Sequence, residues 1–187
     1  AATAAAGAGI GFAAAKKCVE EGCRALFISD IHEGRTTQAV EALKALGGTQ
    51  LVFGRVANVT VEEQVQALID EAEAKLGGVD VLINNAGRSI RRSVALSYDR
   101  FHDFTRTIEL NYYGCLRLIM GFLPSMTEKR RGHIINISSI GVLANSPRFS
   151  AYVASKAALD AFSRCAQAEF SDSGIAFTTV NMPLVRT

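Results

Sequence analysis

Tyr152 and Lys156 stand four residues apart in the segment YVASK. On a helix that spacing puts both side chains on one face, one turn apart. An ammonium beside a phenol favours the phenolate and lowers its pKa. Such a tyrosine can give or take a proton at a carbonyl or alcohol oxygen near neutral pH. Ser138-Ser139 follows the apolar run HIINI, and Asn84–Gly87 (NNAG) follows VDVLI. A serine hydroxyl at such a strand end can hold a substrate oxygen by a hydrogen bond. Taken singly, each feature has a plainer reading: a Y-x-x-x-K pair usually decorates a helix surface, and paired serines usually mark a turn. Their conjunction, each set after an apolar run, is what points to chemistry.

A second group sits at the start of the chain. Thr3–Gly11 reads TAAAGAGIG and leads into an amphipathic stretch over Ile10–Glu21. Gly7, Gly9 and Gly11 allow a tight turn and close approach of backbone to a pyrophosphate. The helix start behind them offers unpaired N–H groups and its positive dipole end. Asp30 ends ALFISD, 21 residues after Gly9. A carboxylate there can accept hydrogen bonds from ribose hydroxyls and repels a 2′-phosphate, which favours NAD over NADP. Arg35 softens that preference. The competing readings are a helix start rich in small residues for close packing, and Asp30 as a turn or N-cap residue.

The elements that must position these residues follow from periodicity. Arg24–Ser29, Gln50–Gly54, Val79–Ile83, His133–Ile137 and Ile175–Asn181 are short apolar runs, read as buried strands. Between them lie helical patterns over Glu33–Leu46, from a Thr60/Glu63 capping box to Leu76, over Tyr98–Met126 with a break, and over Ser150–Phe170. Strands alternating with helices mean βαβ units and a parallel sheet with helices on both faces. Ligands in such folds bind beyond the carboxyl ends of the strands. No repeat or linker divides the sequence, so one domain over residues 1–187 is expected.

The sequence resembles the classical short-chain dehydrogenase/reductases. The resemblance rests on GAGIG, Asp30, NNAG, Asn111 in ELNYYG, the SSIG segment, YVASK and the closing PLVRT. It implies a Rossmann-type doubly wound sheet and hydride transfer between nicotinamide and a carbonyl or alcohol carbon. The family's serine lies about thirteen residues before the tyrosine, which selects Ser139. The implied catalytic set is then Asn111, Ser139, Tyr152 and Lys156. Tyr152 acts as acid/base, Lys156 lowers its pKa and binds the nicotinamide ribose, Ser139 orients the oxygen, and Asn111 anchors a proton relay. The implied cofactor contacts are Gly7, Gly9, Ile10, Gly11, Asp30, Asn58, Val59, Asn85, Ala86, Gly87, Tyr152, Lys156, Pro183 and Val185. The cofactor is NAD, with NADP as the alternative, and no metal is needed. RSIRRSVALSYDRF and NMPLVRT look like segments of bacterial fatty acyl-CoA or aldehyde reductases, whereas the N-terminal half looks more like ketoacyl reductases.

Four departures from that pattern carry expectations of their own. The first glycine slot falls on Ala5, so Gly7 takes over its role. The adenine contact, commonly Asp-Val, is Asn58-Val59. The nicotinamide loop is Pro183-Leu184 in place of Pro-Gly. Finally, only AATAAA precedes Gly7, with no large apolar side chain, so the first strand is expected to be missing, as are a C-terminal strand and lid. An inactive fragment or a non-catalytic dinucleotide-binding protein is the alternative these departures leave.

Composition bounds the rest. Across 187 residues, 49% are hydrophobic and 20% charged, which excludes intrinsic disorder. A net charge of +2 gives no electrostatic case for nucleic acid or an anionic membrane surface. No apolar run is long enough to span a bilayer. Cys18, Cys23, Cys115 and Cys165 have no metal-ligand spacing and are read as packed thiols of a cytoplasmic protein. Arg88, Arg91 and Arg92 form either a basic rim for a CoA or carrier-protein phosphate or a loop of local salt bridges. Leu116, Ile119, Met120 and Leu123 are expected to face the sheet, leaving Phe162, Ala166 and Phe170 to pack elsewhere. The family resemblance implies a homodimer or homotetramer.

Overall fold

The computed structural model describes residues 2–4, 6–48 and 51–185. Six strands form one parallel sheet: β1 (Ala2–Ala4), β2 (Ala25–Asp30), β3 (Leu51–Val56), β4 (Val81–Asn84), β5 (Gly132–Ser139) and β6 (Ile175–Met182), in the order β3-β2-β1-β4-β5-β6. Among the described residues seven α-helices connect them: α1 (Gly9–Glu20), α2 (Glu33–Ala45), α3 (Glu62–Leu76), α4 (Phe101–Ile108), α5 (Gly114–Glu128), the single turn α6 (Gly141–Ala144) and α7 (Ser150–Glu169). The reversal of strand order at β1/β4 opens a crevice at the carboxyl ends of these two strands.

Side-chain alternation along the strands splits the core in two. Leu26 and Ile28 of β2 and Val52 of β3 pack with Ala15, Val19, Ala39 and Leu43 of α1 and α2. The intervening Phe27, with Leu82 and Ile134, packs with Leu68, Ile69, Ile119, Phe122 and Met126 of α3 and α5. All six residues of β2 are buried, as a strand covered on both faces requires.

Four expectations are corrected. The sheet does have a first strand. Ala2–Ala4 pairs in parallel with β2 on one side and β4 on the other. Parallel pairing uses only backbone N–H and C=O groups, so a strand three residues long needs no large side chain to take the central place. The Thr60/Glu63 box does not form, since α3 starts at Glu62 behind Val61 without a side-chain cap. Asn58 supplies the turn instead: its Oδ1 accepts from the Thr60 amide (3.0 Å) and hydroxyl (2.9 Å), while its own amide donates to Gln64 Oε1 (2.8 Å). Met120 is 53% exposed and does not face the sheet, although Ile119 and Leu123 are buried. Phe162 and Phe170 do pack on the sheet, against Phe177 of β6, with ring centroids 6.4 and 6.1 Å away.

The long helical stretch before β5 has its break at the most consequential place. Between α4 and α5 the chain makes one π-helical turn over Glu109–Tyr113. A π-turn inserts a residue into the helical register without ending the helix, and is frequent at functional sites. Asn111 is at its centre and is fully buried.

Candidate active site

The strand ends bring the sequence-read residues to one edge. Ser139 ends β5, Asn84 ends β4, and α7 starts with Tyr152 and Lys156 in its first two turns. The amide of Asn111 crosses to both neighbours. Its Oδ1 accepts from the Arg88 N–H (2.7 Å), and its Nδ2 donates to the Arg88 carbonyl (2.9 Å) and to Ser155 Oγ (2.9 Å). Ser155, fully buried, donates in turn to the Tyr152 carbonyl (2.7 Å). A two-way clamp on Arg88 thus fixes the chain just after NNAG, and a serine bridge fixes the turn of α7 that carries Tyr152.

Lys156 is buried, and its Nζ donates to the Ile137 carbonyl at 2.6 Å. Burial holds its pKa below the ordinary lysine value, against a small opposing pull from Cys115. Burial likewise pushes the Cys115 thiol up, with Lys156 pulling it down. Gly87 lies where these groups converge. A Cβ there would sit 3.3 Å from Asn111 Oδ1 and 3.4 Å from Lys156 Nζ. Ser139 Oγ accepts from the Gly141 N–H (3.1 Å), which leaves its own proton available for another acceptor. Beneath this edge runs a buried polar chain that the sequence reading missed. Asn84 Nδ2 donates to Asn136 Oδ1 (2.8 Å), and Asn136 Nδ2 donates to Ser163 Oγ (2.9 Å). It ties β4, β5 and α7 together.

The glycine loop meets Asp30 directly. The Gly7 amide donates to Asp30 Oδ2 (3.2 Å) and the His32 amide to Asp30 Oδ1 (3.0 Å). A Cβ on Gly7 would lie 2.8 Å from Asp30 Oδ2 and from Arg35 Cβ, so this approach needs glycine. Asp30 is 8% exposed and does the turn work named as its plainer reading. α1 starts at Gly9 (φ +58°) behind Ala8, which makes no side-chain cap. Its leading N–H groups therefore have no side-chain acceptor, and this end of the helix suits an anion. A phosphate-bearing dinucleotide fits that donor set, with Gly7, Gly9, Ile10 and Gly11 around the phosphates and Asp30 behind them.

The remaining predicted contacts divide. Ala86 and Val59 are buried in the structure, and Val59 packs against Gly114 of α5. Asn85 is half-buried and Gly87 exposed. The Asn58 oxygen is engaged by Thr60. After β6, Pro183 and Val185 are exposed and Leu184 is 99% exposed. Ala5, the displaced glycine slot, lies outside the described residues. Among the described residues no cluster of His, Cys, Asp or Glu is arranged for a metal ion, and no helix is long and apolar enough to cross a membrane.

A six-stranded parallel sheet with a glycine turn on one side of its switch point and a Ser/Tyr/Lys/Asn edge on the other defines a doubly wound α/β protein of the Rossmann kind. The family profile described as short chain dehydrogenase matches residues 1–187, and the chain belongs to that family. It is 50% identical over 186 residues to the fatty acyl-CoA reductase of Acinetobacter baylyi, covering 97% of this chain and 61% of that protein. The chain thus spans about three fifths of the length of this curated relative. It superposes on a short-chain dehydrogenase from Streptomyces avermitilis with a TM-score of 0.88 at 31% identity, covering 100% of this chain and 66% of that one. An NAD+-bound xylitol dehydrogenase superposes with a TM-score of 0.91 at 26% identity, covering 97% and 68%.

Proposed function

We propose that the chain is the catalytic core of an NAD(P)(H)-dependent oxidoreductase acting on a carbonyl/alcohol pair, with Tyr152 as its acid/base. The observation that carries this is the convergence of Asn111 Oδ1 and Lys156 Nζ on Gly87, with the Ser139 hydroxyl keeping its proton while it accepts from Gly141. When bound, nicotinamide supplies or accepts the hydride. Gly7, Gly9, Ile10 and Gly11 hold its phosphates at the start of α1. Asn58, Val59, Asn85, Ala86, Gly87, Pro183 and Val185 line the path of the dinucleotide. Asp30 has a second lone pair on each oxygen beyond those given to Gly7 and His32, and these favour NAD.

The proton chemistry belongs to the chain. The Ser139 hydroxyl, accepting from Gly141, donates to the substrate oxygen. Tyr152 delivers a proton to that oxygen or removes one. Lys156, buried and donating to the Ile137 carbonyl, steadies the phenolate while it carries its proton; burial lowers its pKa and so narrows the pH range over which it does this. Asn111 keeps the geometry by clamping Arg88 and, through Ser155, the first turn of α7.

The relative named fatty acyl-CoA reductase supports an acyl-derived substrate, a long-chain acyl-CoA or aldehyde. The test is Tyr152→Phe in the full-length protein. Loss of a single general acid/base removes about 10²- to 10⁴-fold of the rate. NADH binding, followed by fluorescence, should be retained, weakened at most by the one contact that the Tyr152 hydroxyl makes. A wild-type protein that binds NADH yet turns over no aldehyde or acyl-CoA, with Tyr152→Phe indistinguishable from it, would replace this reading with a non-catalytic dinucleotide-binding role.

A further inference from the structure

Residues 88–106 contain five arginines, Arg88, Arg91, Arg92, Arg100 and Arg106, and two acids, Asp99 and Asp103. That balance of +3 exceeds the +2 of the entire chain, so the rest of the molecule is slightly acidic. The positive charge is collected in one segment, and that segment follows NNAG.

Three of these arginines share one carboxylate. Asp103, its side chain 3% exposed, has Arg92 Nε (3.2 Å) and Arg100 Nε (3.1 Å) on Oδ2, and Arg106 Nη2 (2.5 Å) and His102 Nε2 (3.4 Å) facing Oδ1. Burial works to raise the Asp103 pKa, but Arg100, Arg106 and His102 outweigh it and hold the carboxyl below its ordinary value. One negative charge cannot neutralise three guanidiniums. The three side chains keep 35%, 34% and 45% of their surface exposed, and each guanidinium has five N–H donors. Asp103 therefore acts as a template that sets donors in fixed positions with surplus charge towards solvent. Planar forks held this way suit the oxygens of a phosphate.

The location matches the reaction edge. Asp103 precedes Asn111 by two helical turns, roughly 12 Å along the axis. α4 starts beyond the carboxyl ends of the strands, where ligands of this architecture bind. The Arg92 amide donates to the Arg148 carbonyl (2.7 Å), joining the segment to the loop that leads into α7. Exposed Arg88, Arg91 and Arg148 flank it.

We infer that the guanidinium cluster of Arg92, Arg100 and Arg106 around Asp103 binds the phosphate of a nucleotide-type handle on the substrate, as in a coenzyme A thioester, while the acyl end reaches Tyr152. This rests on the oxidoreductase reading only for what happens at Tyr152. A phosphate can also come from an anionic lipid. Val94, Leu96, Tyr98 and Phe101, between 58% and 85% exposed, lie beside the cluster and make a lipid surface the competing source.

The experiment titrates coenzyme A, dephospho-coenzyme A and phosphatidylglycerol vesicles into the full-length protein by calorimetry. It compares wild type, Tyr152→Phe, Arg106→Gln and Arg100→Gln/Arg106→Gln. Arg106→Gln leaves the two hydrogen bonds to Asp103 Oδ2 in place, so it serves if the double variant does not fold. Coenzyme A should bind wild type and Tyr152→Phe equally, and about 10- to 100-fold more weakly to the arginine variants, as the loss of charged hydrogen bonds predicts. KM for an acyl-CoA should rise by a similar factor, with turnover of a free long-chain aldehyde unchanged. Coenzyme A that fails to bind wild type, or binds every arginine variant equally, overturns the assignment. So does arginine-dependent binding of vesicles without binding of coenzyme A. Binding retained in a protein that turns over no substrate would leave this site standing and remove the oxidoreductase reading alone.

Discussion

Asn111 and Ser155 show what a single side chain does at this edge. Asn111 satisfies both polar groups of the Arg88 backbone and still reaches Ser155 across two helices. Ser155→Ala removes that bridge and should cost about 1 to 2 kcal/mol of stability by denaturant unfolding. Its kcat should fall with a displaced pH profile, because Tyr152 loses a fixed backbone; an unchanged profile would assign Ser155 to packing alone. Lys156→Met tests the buried ammonium. The folded-state pKa of Lys156 lies below the unfolded value of about 10.4, so the unfolded chain binds more protons between the two. Wild-type stability should therefore rise relative to Lys156→Met as pH climbs from neutral towards about 10, read as a difference of unfolding curves. The residue types at this site were legible from their order and spacing. Their partners were not: Ser155 lies within the quoted YVASK, but nothing in sequence ties it to a residue 44 positions away.

At the scale of elements, the π-turn decides how α5 lies against the cofactor side. α5 starts on Gly114, whose missing side chain is filled by Val59; a Cβ there would meet Val59 Cγ2 at 2.8 Å. Gly114→Ala should lower stability by about 1 to 3 kcal/mol, the usual cost of overpacking, and weaken NADH binding by displacing the Asn58-Val59 loop. A variant with unaltered melting temperature and dissociation constant would refute that coupling. Strand runs and helix stops were legible because burial and glycine punctuate them, as at Gly77, which ends α3 with φ +67°. The π-turn was legible only as a break in the stretch Tyr98–Met126: one inserted residue shifts the helical phase by about 100°, and residue types alone do not say that the helix continues through it. The cap of α3 was misplaced for a similar reason. Thr60 has the right chemistry, but Asn58 engages it first.

Over the whole molecule, α/β alternation gave the parallel sheet and the ligand edge, while the absence of bulky residues before Gly7 hid the central strand. Phe101, Tyr113 and Met120 remain exposed on α4, the π-turn and α5. With the family resemblance, this leads us to expect a homodimer or homotetramer. Light scattering on the full-length protein should give a multiple of the chain mass, and a stable monomer would refute it. The place of β1 has a kinetic consequence. Ala2–Ala4 joins the β2/β3 half of the sheet to the β4/β5/β6 half, yet its second partner comes some eighty residues later in the chain. During synthesis those three residues emerge long before β4 does, and the seam cannot close until Asn84 has cleared the ribosome. Closing so distant a contact is slow. Amide exchange in β1 should then be the last protection gained on refolding, with either half-sheet able to collapse before it.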